Sequence, residues 1–95
     1  VSLRVKLLGF PDLKRLLGGT EITLALEAAT LDELLDRLEQ TYGAAVKRAL
    51  LDANGHIDPT VQVIRNDREW IPRDDLGHPL KDGDRVTFLL MVAGG

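Results

Sequence analysis

The stretch Val92-Ala93-Gly94-Gly95 is the part of the sequence whose residue types and spacing point to chemistry. A backbone without side chains can pass through a channel too narrow for any other residue. Extended, four residues reach about 13–14 Å, enough to carry the carboxylate of Gly95 into another protein's active site. Paired glycines are also commonplace as fraying residues, so the pair needs support from elsewhere. Other motifs offer little competition. The chain has no cysteine, so it carries no thiol nucleophile, persulfide, disulfide or cysteine-ligated zinc of its own. His56 and His78 lie in polar, turn-like sequence. The aspartates near them (Asp52, Asp58, Asp74 and Asp75) follow no zinc spacing, and aspartates are common in turns for local backbone reasons. No metal site is therefore expected. No segment matches G-x-x-x-x-G-K-[ST] or G-x-G-x-x-G, and Gly18-Gly19-Thr20 lacks the lysine, so no nucleotide site is expected on this chain. The 15 acidic residues are spread throughout, which reads as solvated surface rather than a catalytic pair.

Composition narrows the partners. The chain has 95 residues, 44% of them hydrophobic, with 12 Lys+Arg against 15 Asp+Glu and a net charge of -3. One domain spanning residues 1–95 is expected, burying about 65% of its unfolded surface without help from a metal or disulfide. Mixed charge with an acidic balance argues against a nucleic-acid surface, where a basic stripe would be expected. No apolar run approaches a bilayer span and no signal-peptide pattern opens the sequence, so neither membrane nor export is expected and the anticipated compartment is the cytoplasm.

The elements that would position the tail follow from periodicity. Leu3, Val5 and Leu7 alternate with polar residues over Ser2 to Leu8, as in a half-buried strand. Gly9-Phe10-Pro11-Asp12 breaks it, Leu13 to Leu17 reads as a short turn, and Ile22, Leu24 and Leu26 mark a second strand, giving a hairpin with a long loop. The period then changes: Leu31, Leu34, Leu35, Leu38 and Tyr42 recur at helical spacing. Thr30 and Glu33 form a capping box, the hydroxyl accepting from the Glu33 N–H while the carboxylate reaches back to Thr30. Gly43 would end the helix in a left-handed turn. A short second helix over Ala44–Leu51 would pack Val46, Ala49 and Leu50. Thr60–Arg65 reads as a strand with Val61 and Val63 inward, Asn66-Asp67 as a tight turn, and Glu69–Ile71 as a short edge strand. After the Lys81-Asp82-Gly83-Asp84 turn, Arg85–Val92 is the last strand, with Val86, Phe88, Leu90 and Val92 inward. The fold class is α+β: a mixed four- to five-stranded sheet packed on one main helix, with a central parallel pair between the first and last strands. This is the β-grasp arrangement.

Alternation leaves Thr87, Leu89 and Met91 on the face away from the helix, joined by Ile64 from the neighbouring strand. An outward apolar group of this kind marks a partner site, unless loops cover it or the register is shifted by one residue. The leucines of the main helix could also form a partner stripe, but burial against their own sheet explains them.

The order of elements, the segment Pro79-Leu80-Lys81-Asp82-Gly83-Asp84-Arg85-Val86 and the ending Val92-Ala93-Gly94-Gly95 resemble the MoaD/ThiS family of ubiquitin-like sulfur carriers over essentially the whole chain. Leu90-Met91 departs from the prolines usual in MoaD-type tails, and the length of Asp52–Pro59 favours a MoaD or CysO type over ThiS. The resemblance implies a protein co-substrate rather than an enzyme. A partner of the E1-like adenylating class (MoeB/ThiF type) would use ATP and Mg²⁺ to adenylate Gly95, whose carboxylate then becomes a thiocarboxylate. No cofactor would be bound by the carrier itself. In the MoaD branch the acceptor is the large subunit of molybdopterin synthase (MoaE type), and sulfur goes to the molybdenum cofactor. Gly94 would thread the channel, and Leu89, Met91, Ile64, Val92 and Ala93 would meet the partner. The alternatives are a CysO- or ThiS-type carrier for cysteine or thiamine synthesis, or a ubiquitin-like modifier or interaction module.

Overall fold

In a computed structural model, which describes residues 1–27 and 29–91, the chain opens with strand β1 (Ser2–Leu8). Its alternation buries Leu3, Val5 and Leu7 on one side. Gly9 follows at φ +92°, and a Cβ there would stand 2.8 Å from the Cβ of Leu90, so only glycine lets these two strand ends pass so closely. Pro11 then starts α1 (Pro11–Leu17). The sequence reading put a turn at Leu13–Leu17. A helix forms instead because proline is pre-set for a first turn and because Leu13 and Leu17, four apart, both reach the core. Strand β2 (Glu21–Ala25) returns antiparallel to β1.

The main helix α2 (Leu31–Tyr42) buries Leu31, Leu34, Leu35 and Leu38 completely. Its leucine stripe is therefore core, each side chain contributing about 1.5–3 kcal/mol of transfer free energy. The Glu33 N–H donates to Thr30 Oγ1 at 3.2 Å, as expected. The other half of the capping box differs: the Thr30 hydroxyl donates to Glu33 Oε1 at 3.1 Å, and the next two helix N–H groups, of Leu31 and Asp32, are taken by the carbonyls of His78 and Leu76. Gly43 has φ 101° but ψ 176°, so it ends the helix in an extended glycine conformation rather than the left-handed turn expected. In α3 (Ala45–Leu50), Val46 and Leu50 are buried but Ala49 is exposed. One i,i+4 pair is all that so short a helix presents to the core.

Strands β3 (Val61–Arg65) and β4 (Glu69–Ile71) form a hairpin across Asn66, Asp67 and Arg68. Asn66 and Asp67 both have positive φ, as the central residues of a primed turn do, and the turn is closed by the Arg68 N–H on the Arg65 carbonyl at 3.1 Å. Strand β5 (Arg85–Leu90) completes a five-stranded sheet of order β2-β1-β5-β3-β4, in which only β1 and β5 run parallel. Val86 and Phe88 are fully buried and Leu90 packs against the core, as the alternation required. The helices cover one face of this sheet, the α+β β-grasp architecture. No helix among the described residues is long and apolar enough to cross a membrane.

Candidate functional site

Strand β5 is the last element before residues 92–95, and it is fixed at its start by the Lys81–Asp84 turn. Asp84 is only 7% exposed, yet its carboxylate accepts from the Lys81 N–H at 2.7 Å, from Asn66 Nδ2 at 2.9 Å and from Arg65 at 3.4 Å. Burial alone would raise the Asp84 carboxyl; the Asn66 amide, the Lys81 N–H and the Arg65 guanidinium outweigh it and hold the group below the ordinary aspartate value. The Ser2 carbonyl accepts from the Gly83 N–H at 2.7 Å, and the Arg4 N–H donates to the Asp84 carbonyl at 2.9 Å. Asn66 clasps Arg85 through its backbone and side chain together. The turn thus locks the first residue of β5 between β1 and β3.

The far end is held as well. The Met91 N–H donates to the Thr60 carbonyl at 2.7 Å. Thr60 in turn donates its hydroxyl and N–H to Asp58, at 2.6 and 2.9 Å, bonds that keep the Asp58 carboxyl below its usual range. Val92, Ala93, Gly94 and Gly95 lie outside the described residues.

The register turns the helix-free face into rows. Leu8, Leu89 and Gln62 are partners in one row, and Glu21, Lys6, Thr87, Ile64 and Trp70 in the next. Thr23, Arg4 and Arg85 follow. Leu89 and Ile64 are half-buried, whereas Met91 is 43% exposed, Leu8 37% and Trp70 58%. The three residues expected here, Leu89, Ile64 and Met91, therefore share the face away from the helices. Sequence reasoning missed Leu8 and Trp70. Leu8 continues the outward set of β1, and Trp70 is the outward member of a strand whose next residue, Ile71, is buried. Thr87 also points to this side, yet it is 2% exposed and its hydroxyl has no hydrogen-bond partner.

The face has the make-up of a docking surface, an apolar group of Leu8, Leu89, Ile64, Met91 and Trp70 on the side away from the helices. Among the described residues no group of three or more His, Cys, Asp or Glu side chains is arranged to hold a metal ion. His78 instead lies between two carboxylates, Nδ1 at 2.9 Å from Asp75 and Nε2 at 2.9 Å from Glu69. A groove of about 570 Å³ lies between the end of β2 and α2, lined by Leu26, Glu33 and Arg37 among others, across the sheet from the β3–β4 edge.

The family model of ThiS matches residues 9–95. The chain belongs to the ThiS family. Small archaeal modifier protein 3 of Haloferax volcanii is 37% identical over 67 residues, 70% of this chain and 71% of that protein. Among solved structures, SAMP1 from Haloferax volcanii superposes with a TM-score of 0.76 at 26% identity, each chain covered completely. The BexX/CysO complex of Amycolatopsis orientalis matches with a TM-score of 0.75 at 30% identity, over 98% of this chain and 99% of that one. The ThiS family and these relatives make the chain one of the small ubiquitin-like sulfur carriers and modifiers, a group that is generally non-catalytic. The Lys81–Asp84 motif is structural: it holds the start of the last strand between β1 and β3.

Proposed function

We propose that this protein is a sulfur carrier whose working atom is the carboxylate of Gly95. The carboxylate attacks the α-phosphorus of ATP on an E1-like adenylating enzyme, forming an acyl-adenylate and releasing pyrophosphate. A sulfide-level sulfur then adds to the acyl carbon and AMP departs, leaving a thiocarboxylate. ATP and Mg²⁺ belong to the partner; the carrier contributes a reach and a docking face. The observation that carries this reading is the ThiS-family match running through residue 95. It is joined by a chain without cysteine and a β5 pinned at both ends, so that the four residues after Met91 supply about 13–14 Å of reach.

The test is mass spectrometry of the protein incubated with its adenylating enzyme, ATP and a sulfur donor. The expected product is heavier by the exchange of one oxygen for one sulfur at Gly95; an unchanged mass with a demonstrably active enzyme overturns the reading.

For the acceptor, the reading we put forward is the large subunit of molybdopterin synthase, supported by the resemblance to MoaD-type carriers. A cysteine-forming acceptor is supported by the identity with CysO over nearly the whole chain, and a modifier role by the identity with small archaeal modifier protein 3. Supplying the thiocarboxylate to each acceptor separates them: a pterin dithiolene, free cysteine, or isopeptide conjugates on lysines.

A further inference from the structure

We infer that the enzyme that activates the tail presents an apolar pocket bordered by carboxylates, and that Arg4 and Lys6 are the cations this border meets. The inference rests on the carrier reading and specifies its partner surface. It begins with charge placement. The molecule carries a net charge of -3, yet the outward residues of the four strands β2, β1, β5 and β3 include Arg4, Lys6 and Arg85 against a single acid, Glu21. Arg85 is already engaged, 3.1 Å from Asp67 and 3.4 Å from Glu21. Arg4 and Lys6 have no ion-pair partner among the described residues. Both stand on β1, a strand that also carries Leu8 at the apolar patch.

Thr87 shows how Lys6 is held. It lies in the middle of a face that no helix covers, yet it is 2% exposed. The groups placed to shelter it are its row partners Lys6 and Ile64, and Arg85 and Leu89 two residues away on β5. Lys6 is itself half-buried. A lysine in this position lays its methylene stem on the sheet and keeps its ammonium at the rim. Residues two apart on a strand are separated by about 7 Å. Lys6 thus sits about 7 Å from Leu8, and Arg4 about 7 Å beyond it, so the nearer charge falls within a Debye length of the patch at physiological salt.

Chain length points to the occupant. Gly95 follows Met91 by four residues, a reach of at most about 14 Å, so an enzyme that holds its carboxylate comes close to the end of β5, where Leu89, Met91 and Leu8 are. An apolar partner surface there would leave two cations unmet at its border; carboxylates would pair them, steer the encounter and fix the orientation. Trp70, on the opposite side of Ile64 from Lys6, is the aromatic anchor of the same footprint.

The test is ATP–pyrophosphate exchange by the adenylating enzyme of the same organism, with the carrier as varied substrate, at about 0.05 M and about 0.5 M salt. For the pair Arg4→Glu and Lys6→Glu we expect KM to rise at least about tenfold at low salt and by less than about twofold at high salt, with kcat unchanged. The Arg4→Gln and Lys6→Gln pair should show a smaller effect of the same sign, and Arg48→Glu on α3 should show none. Thermal melting of each variant separates lost binding from lost folding. A KM shift no larger than that of Arg48→Glu, or one equally large at both salt concentrations, overturns the inference. Absence of exchange with the native chain is a different result: it removes the carrier reading, and this inference with it.

Discussion

Phe88 and Leu89 are adjacent on β5 and have opposite surroundings: the first is fully buried in the core, the second half-exposed on the free face. They make a matched pair. Phe88→Asp places an unpaired charge in the core and should abolish folding, seen as loss of the cooperative melt. Leu89→Asp should leave Tm nearly unchanged while weakening binding to both adenylating enzyme and acceptor by about 10- to 150-fold, the worth of one buried leucine. The reverse pattern would mean that the strand faces are exchanged. Thr87 gives a third reading of the same strand. Its hydroxyl is buried without a partner, so Thr87→Val removes a desolvation penalty at little cost in shape. We expect a gain of about 1 kcal/mol, or about 4–8 °C in Tm; a loss of stability would show that the hydroxyl is satisfied. The faces of β5 were legible in the sequence because six alternating residues set a period. Trp70 was not, because β4 has three residues and offers no period to read. The shelter over Thr87 was equally hidden, since it depends on residues brought alongside from β1 and β3.

At the scale of elements, the segment 72–80 works as a strap. It leaves β4, gives the carbonyls of Leu76 and His78 to the first N–H groups of α2, and ends at the turn that starts β5. His78 fastens it, with Asp75 on the strap itself and Glu69 on β4 at its two ring nitrogens. Glu69 is also paired to Arg65 of β3, which reaches Asp84. Only an imidazolium donates from both nitrogens, and the hydrogen bond to Asp75, then that to Glu69, raise the His78 pKa above its ordinary value against the opposing effect of burial. A raised folded-state pKa means that the stabilisation is complete below about pH 6.5, the unfolded value, and is lost as pH rises through the folded value. The stability difference between the native chain and His78→Asn should therefore be larger at about pH 6 than at about pH 9. Amide exchange at Leu31 and Asp32, corrected for its intrinsic pH dependence, should rise over the same range in the native chain only. A difference independent of pH would mean that His78 acts by packing. The helix this strap caps was legible from its leucine spacing and from Thr30 and Glu33. The strap was not, because its ionic contacts join residues on separate segments without any local pattern.

At the scale of the whole molecule, the described β-grasp body runs to Met91, and the proposed reaction falls on the four residues that follow it. Its topology followed from two local signals, the change of period at Thr30 and the strongly apolar first and last strands, which together leave the parallel β1–β5 pair as the natural centre. The proposed Gly94-Gly95 chemistry has a different footing: it comes from the resemblance carried by the Lys81–Asp84 turn together with Val92-Ala93-Gly94-Gly95, the last four residues, which lie outside the described ones. The described core contains nothing beyond Leu90, so changes after Gly95 should not touch stability. They should be decisive for function. One added residue moves the carboxylate by about 3.5 Å, and a misplacement of about 1 Å at a reacting centre already costs on the order of 100-fold in rate. A chain carrying one alanine after Gly95 should therefore melt with the native Tm and bind the adenylating enzyme through the same face, yet support neither pyrophosphate exchange nor the gain of sulfur. Binding retained with exchange lost is the signature of a threaded terminus. Normal adenylation of the extended chain, with mass spectrometry showing the alanine still in place, would remove the geometric basis of the mechanism.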